Sequence, residues 1–209
     1  MLLKKKLLEN CKLYLVLDTQ VKSYNELFEI AKKSIEAGVD ILQLRDKTGS
    51  AREILKFTEK VLKLTKNRIP FIINDRLDLA MVSEAKGTHL GQEDLPLNAA
   101  RRLGGKPMVI GVSCQSLNHA LLAQKQGADY IGLGSVFKTF TKPDRRPMNL
   151  KLLEAVIKRI QIPVFAIGGI TLENVERLIA LGVKRAAVCR AVCEAKDVEK
   201  VVREFKRKL

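Results

Sequence analysis

The run Ala128–Pro147, ADYIGLGSVFKTFTKPDRRP, begins as a strand and ends as a polar loop. Tyr130, Ile131 and Leu133 stand among glycines, and Val136 and Phe137 follow. Thr139, Thr141, Lys142, Asp144, Arg145 and Arg146 then open a loop that Pro143 and Pro147 stiffen by fixing φ. A short apolar strand that runs into such a loop can present hydroxyls and cations to a phosphate. On composition alone the loop reads equally as a solvated, charged surface. The remainder of the chain decides, because it repeats the same plan.

Working outward, apolar strand runs are expected at Lys12–Asp18, Ile41–Asp46, Phe71–Asn74, Thr88–Leu90, Met108–Ser113, Tyr130–Val136, Pro163–Ile167 and Arg185–Cys189. Each is followed by a segment with helical periodicity. The first runs from its Ser23 cap to Ala37, with Leu27, Ile30, Ala31, Ser34 and Ile35 on one face and Gly38 as its stop. The others fall at Ser50–Lys66, Leu77–Ala85, Asn98–Leu103, Leu117–Gln126, Asn149–Ile160, Thr171–Leu181 and Asp197–Lys208. Strands this short and continuously apolar are buried on both faces, as in parallel sheets. Eight near-equal units of about 26 residues predict a single (β/α)8 TIM barrel spanning residues 1–209. An open doubly wound sheet is the alternative, but no visible break interrupts the repeat. The GLG of Gly132–Gly134 lies inside a strand and lacks the third glycine of a dinucleotide fingerprint.

The chain has 209 residues, is 46% hydrophobic and carries a formal charge of +15, so it buries a full core and projects a positive field. Such a field attracts nucleic acid, anionic membranes or phosphorylated small molecules. With three tyrosines, seven phenylalanines, no tryptophan and no long basic tract, the pattern suits a general field better than a nucleic-acid face. No apolar run approaches the ~20 residues of a membrane span. The opening MLLKKKLLENCKLYLVLD is a poor signal peptide, because Glu9, Asn10 and Lys12 interrupt it. Cys11, Cys114, Cys189 and Cys193 lack metal-ligand spacing and read as reduced structural thiols of a cytoplasmic protein.

Barrel active sites lie at the C-terminal ends of the strands. Read there, the second strand offers Gln43, Arg45 and Lys47, and the third Asn74, Asp75 and Arg76. The fourth is followed by Gln92, Glu93 and Asp94, and the fifth ends in Ser113. The sixth leads to Thr139, Thr141 and Lys142, and the eighth ends at Arg190. After the seventh, Gly168 and Gly169 can bring bare amides close to a phosphate beside a helix start. Taken alone, Asp75 and Asp94 read as ordinary turn or cap residues. Together with Arg45, Lys47 and Lys142 they read as a phosphate–metal site, since Mg²⁺ commonly takes one or two carboxylates plus substrate phosphates. His89 in a strand reads as structural and His119 on a helix as exposed; no Ser–His–Asp or Cys–His set is visible.

QLRDK (Gln43–Lys47), INDRLDLA (Ile73–Ala80), GTHLGQEDLP (Gly87–Pro96), GVS (Gly111–Ser113), GADYIGLGSVFKTFTK (Gly127–Lys142) and IPVFAIGGIT (Ile162–Thr171) together resemble the thiamine-phosphate synthase family. The resemblance runs in register over nearly the whole chain. It implies a transferase that joins a hydroxymethylpyrimidine diphosphate to a thiazole phosphate, releasing pyrophosphate and forming thiamine phosphate. It further implies that Gln43, Leu44, Arg45, Asp46, Lys47, Asn74, Ser113 and Lys142 hold the pyrimidine diphosphate. Asp75 and Asp94 then hold Mg²⁺, and Thr139, Phe140, Thr141, Gly168, Gly169, Cys189 and Arg190 surround the thiazole phosphate. Two positions depart from the family pattern: Gly134-Ser135 replaces a glycine–proline pair, and Arg190 replaces a serine. A related thiazole tautomerase on the same barrel uses a histidine where this chain has Ser135, which argues against that activity. Expected partners are the two phosphorylated substrates, without nucleic acid or membrane, and self-association is left open. An idle barrel that binds polyanions is the reading from a different class.

Overall fold

A computed structural model describes residues 7–66, 68–140 and 146–209. Its strands close into a barrel in chain order, each parallel to its neighbours: β1 (Leu13–Asp18), β2 (Ile41–Arg45), β3 (Phe71–Asn74), β4 (Gly87–Leu90), β5 (Val109–Cys114), β6 (Tyr130–Gly134), β7 (Val164–Ile167) and β8 (Ala186–Val188). Closure is made by β8 on β1, with Leu13, Tyr14 and Leu15 opposite Ala186, Ala187 and Val188. The expected (β/α)8 barrel is therefore the fold.

The helices are α1 (Tyr24–Glu36), α2 (Ala51–Thr65), α3 (Leu77–Val82), α4 (Leu97–Gly104), α5 (Leu117–Lys125), α6 (Leu150–Arg159), α7 (Val175–Ile179), α8 (Arg190–Cys193) and α9 (Val198–Lys208). Ser23 and Ser50 each cap a helix through a box with the glutamate three residues on, Glu26 and Glu53. None of the helices among the described residues is long and apolar enough to cross a membrane.

Period-2 alternation divides the core in two. Leu13, Leu15, Leu17, Leu42, Leu44, Ile73, Ile110, Ile131 and Leu133 point outward and pack under the helices. Tyr14, Ile41, Ile72, Val109, Tyr130, Phe165 and Ala187 point inward and fill the barrel, joined from below by Leu8 and Cys11. Residues 7–9 are helical, an element absent from the sequence reading.

Three elements beside the site are shorter than expected. β6 stops at Gly134, where the peptide to Ser135 is cis, rather than at Val136. α7 begins at Val175 instead of Thr171, because Asn174 closes the preceding turn: its Oδ1 accepts from the Thr171 N–H (2.9 Å) and its Nδ2 donates to Gly169 O (2.9 Å). The glycine pair therefore does not sit at a helix start. β8 ends at Val188, and Arg190 is not its last residue but the first of α8.

Candidate active site

Where the inward layer ends, at the C-terminal mouth of the barrel, lies a cavity of about 680 Å³, a size that suits a small organic ligand. Its floor is aromatic. Tyr14, Tyr130 and Phe165 meet with ring centroids 5.4, 5.6 and 5.8 Å apart. Gly111 makes room for this cluster: a Cβ there would lie 2.1 Å from Tyr130 Cζ. The two buried hydroxyls need partners, and they find each other at 2.8 Å. Gln43 Nε2 donates to the Tyr14 hydroxyl at 2.7 Å. His89 bridges the Tyr130 hydroxyl (3.1 Å, through Nδ1) to Ser113 Oγ (3.0 Å, through Nε2). Burial raises both phenols well above their ordinary range, so they stay neutral.

The β1–β4 side of the mouth carries the acids. Asp18 ends β1 fully buried, and Arg45 at the end of β2 donates through Nη1 to Asp18 Oδ2 (2.7 Å) and Gln20 Oε1 (2.9 Å). Asp75 follows β3 in the left-handed region (φ +61°), which aspartate tolerates. Its N–H donates to His89 O at 2.8 Å, and its carboxylate is ion-paired with Lys47. Asp94 Oδ2 accepts from the Gly91 N–H at 2.6 Å. The Asp75 and Asp94 carboxyls lie close enough for each to shift the other's ionisation. Burial, then the neighbouring acid, raises Asp75 above the usual carboxylate range despite Lys47. Burial also works upward on Asp94, but Asp75, the Gly91 amide and Lys47 outweigh it and lower that group. The two carboxyls thus pull in opposite directions, Asp75 toward the neutral form and Asp94 toward the charged one, and a cation placed between them would relieve their repulsion. Among the described residues no group of three or more His, Cys, Asp or Glu gathers around one point. A hard ion with two carboxylates and its remaining sites left to water and phosphate fits this donor set.

The β6–β8 side is built from backbone. Gly168 (φ +106°) and Gly169 (φ +64°) lie in the left-handed region, and a Cβ on Gly169 would meet Lys138 O at 2.2 Å. Only glycine fits there without the loop after β6 moving away. That loop is tied down by Val136 N–H to Ile167 O (2.9 Å) and Phe137 N–H to Gly168 O (3.0 Å). Arg190 lines the cavity with its Nη1 on Glu194 Oε1. Hydrogen bonding to Cys193, then burial, raises the Cys189 thiol well above its ordinary range, which makes it an inert neighbour and no nucleophile.

Of the residues expected at the site, the cavity gathers Gln43, Arg45, Lys47, Asn74, Asp75, Asp94, Ser113, Thr139, Phe140, Gly168, Gly169, Cys189 and Arg190. The side chains of Leu44 and Asp46 face elsewhere. Leu44 alternates outward into the helix layer, and Asp46 accepts from the Tyr24 hydroxyl and the amides of Thr48 (2.9 Å) and Gly49 (2.7 Å). Thr141 and Lys142 lie outside the described residues. The sequence reading missed Tyr14, Asp18, Tyr130 and Glu194, all of which line the cavity. For Tyr14 the signal existed: two residues apart along β1, Tyr14, Val16 and Asp18 share the inward face. His89, read as structural, joins the floor to Ser113 through its ring. His119 is half-buried at the cavity instead of exposed, with its Nδ1 buried and without a hydrogen-bond partner among the described residues.

Comparison with known proteins follows the same geometry. The family model for thiamine monophosphate synthase matches residues 13–192. A thiamine-phosphate synthase of Methanospirillum hungatei is 41% identical over 198 residues, covering 94% of this chain and 96% of that one. One from Clostridium botulinum is 40% identical over 195 residues, covering 93% and 92%. Among solved structures, thiamine phosphate pyrophosphorylase from Pyrococcus furiosus superposes with a TM-score of 0.87 at 35% identity, covering 99% of this chain and 96% of that one. 3-Hexulose-6-phosphate synthase, with a TM-score of 0.72 at 17% identity, shares the fold.

Proposed function

The chain belongs to the thiamine monophosphate synthase family, and we propose on that footing how its own residues carry out the reaction the family name describes. It is a transferase that joins a pyrimidine-methyl diphosphate to a thiazole phosphate, giving thiamine phosphate and pyrophosphate. The bond between the methylene carbon and the diphosphate oxygen breaks, and its electron pair leaves with pyrophosphate. A lone pair on the thiazole nitrogen then forms the new C–N bond. The nucleophile loses no proton, so no general base is required. That agrees with a cavity whose phenols are held neutral and whose Cys189 thiol is held protonated.

The observation that carries the reading is the Asp75–Asp94 pair beside Lys47 at the barrel mouth. Two neighbouring acids with Lys47 and Arg45 beside them suit Mg²⁺ shared with a diphosphate. Asp75 and Asp94 would hold it. When bound it supplies positive charge that stabilises the departing pyrophosphate. Arg45 and Lys47 offer further donors to the same anion, and Lys142 is proposed to join them. Gln43, Asn74 and Ser113 border the buried floor, where a flat heteroaromatic ring can lie on Tyr14 and Tyr130. The thiazole phosphate is assigned to the opposite wall, where Gly168 and Gly169 bring backbone close and Thr139 and Thr171 add hydroxyls.

Incubating both substrates with and without Mg²⁺, and with excess chelator, tests this directly. Thiamine phosphate should form only with the metal. Turnover that survived chelation would remove Asp75 and Asp94 from the metal role, and no thiamine phosphate under any condition would refute the activity.

A further inference from the structure

We propose that Glu194 sets the affinity of the β7–β8 wall for phosphate by competing with it for the Arg190 guanidinium. The inference rests on the functional reading only in identifying the physiological ligand as the phosphate monoester of the second substrate. Arg190 and Glu194 lie one turn apart across the short α8, whose backbone closes with Glu194 N–H on Arg190 O at 2.9 Å. Both side chains line the cavity that Gly168 and Gly169 also border.

The guanidinium carries five N–H donors in a rigid fork. Its bond to Glu194 uses one of them, Nη1. Its Nε is buried and has no hydrogen-bond partner among the described residues. The parked pose therefore leaves a buried donor unsatisfied, and a small turn toward the cavity can offer the fork to a better acceptor. A phosphate has more acceptor oxygens and more charge than the carboxylate it displaces. The pair holding Arg190 back is half-open to water, at 35% and 48% side-chain exposure, so it is weak enough to exchange. Glu194 thus acts as an internal placeholder: it neutralises Arg190 while the wall is empty and lowers the net gain when phosphate arrives.

The experiment is a calorimetric titration of inorganic phosphate, and separately of a thiazole phosphate, into the parent, Glu194→Gln, Arg190→Ser and the double variant, with Tm measured for each. Losing an exposed pair corresponds to roughly a two- to fivefold change in affinity, so Glu194→Gln should bind both ligands about two- to fivefold tighter. The gain should vanish in the Arg190→Ser background. Unchanged or weaker binding by Glu194→Gln would overturn the proposal and make Glu194 an anchor that aims Arg190. A gain that persisted without Arg190 would also overturn it, as a plain loss of negative charge. Should the parent make no thiamine phosphate while Glu194→Gln still tightens inorganic phosphate, the functional reading falls and the exchange stands.

Discussion

Breaking the Asp18–Arg45 pair should cost both stability and activity, and the two losses should be separable. Asp18 is fully buried at the end of β1, with Oδ2 held by Arg45 at 2.7 Å and Oδ1 by the Gln20 N–H at 3.0 Å. Replacing Arg45 with Met keeps most of the side-chain volume and leaves the carboxylate buried with a single donor. Removing one partner of a buried ion pair typically costs about 3–5 kcal/mol. Unfolding entropy near 2.1 cal/mol/K per residue gives roughly 0.44 kcal/mol/K for this chain, so Tm should fall by about 7–11 °C. Replacing both residues, as Asp18→Leu with Arg45→Met, removes the stranded charge and should recover most of that loss. Activity should recover in neither, because Arg45 is then unavailable to the diphosphate. Thermal unfolding followed by circular dichroism, with initial rates at saturating thiazole phosphate, reads out both. A drop in Tm below about 2 °C for Arg45→Met, or a double variant as unstable as the single one, would refute the account of a charge dependent on one partner.

Asp75→Asn and Asp94→Asn should each lower turnover by at least ~100-fold, the scale of losing a group that stabilises developing charge. Mg²⁺ should also no longer raise their Tm; near-parental rates at limiting Mg²⁺ would exclude the assignment. Gly169→Ala places a side chain at φ +64° and 2.2 Å from the Lys138 carbonyl. The left-handed penalty alone is about 1–2 kcal/mol, so the KM for thiazole phosphate should rise at least ~10-fold while that for the pyrimidine substrate changes little; steady-state kinetics with each substrate varied in turn decides it.

Much of this was legible in the sequence because a parallel barrel leaves a coarse trace: eight apolar runs, each followed by a helical period. The ends of elements were less legible wherever tertiary bonds overrode local preference. Thr171–Asn174 carries a helical pattern, yet Asn174 spends its side chain on Gly169 and Thr171 and so delays α7 to Val175. The residues that offer charge stood out, because Arg45, Lys47, Asp75 and Asp94 fall at strand ends where only a site needs them. Tyr130 did not, since a tyrosine in an apolar run looks like core until its hydroxyl partner is known, and Tyr14 could be placed only through its alternation with Asp18. Tyr130 lies 116 residues from Tyr14. His119 was misjudged because a helix position gives no sign of which neighbour covers it. Leu44 and Asp46 came in with the run QLRDK, although strand alternation alone puts Leu44 on the outward face.

Closure of the barrel by β8 on β1 also constrains how the protein comes into being. Leu13 and its partner Ala186 are 173 positions apart. At synthesis rates of about 5–20 residues per second, β1 waits roughly 9–35 s with one edge unpaired before β8 exists. An open apolar edge is a template for the wrong strand, and β1 here is LYLVLD. In that interval Asp18 at its end is still wet, and a hydrated charge on an exposed edge discourages pairing with another chain. The residue that anchors Arg45 in the finished site is thus also suited to guard the strand that must wait longest.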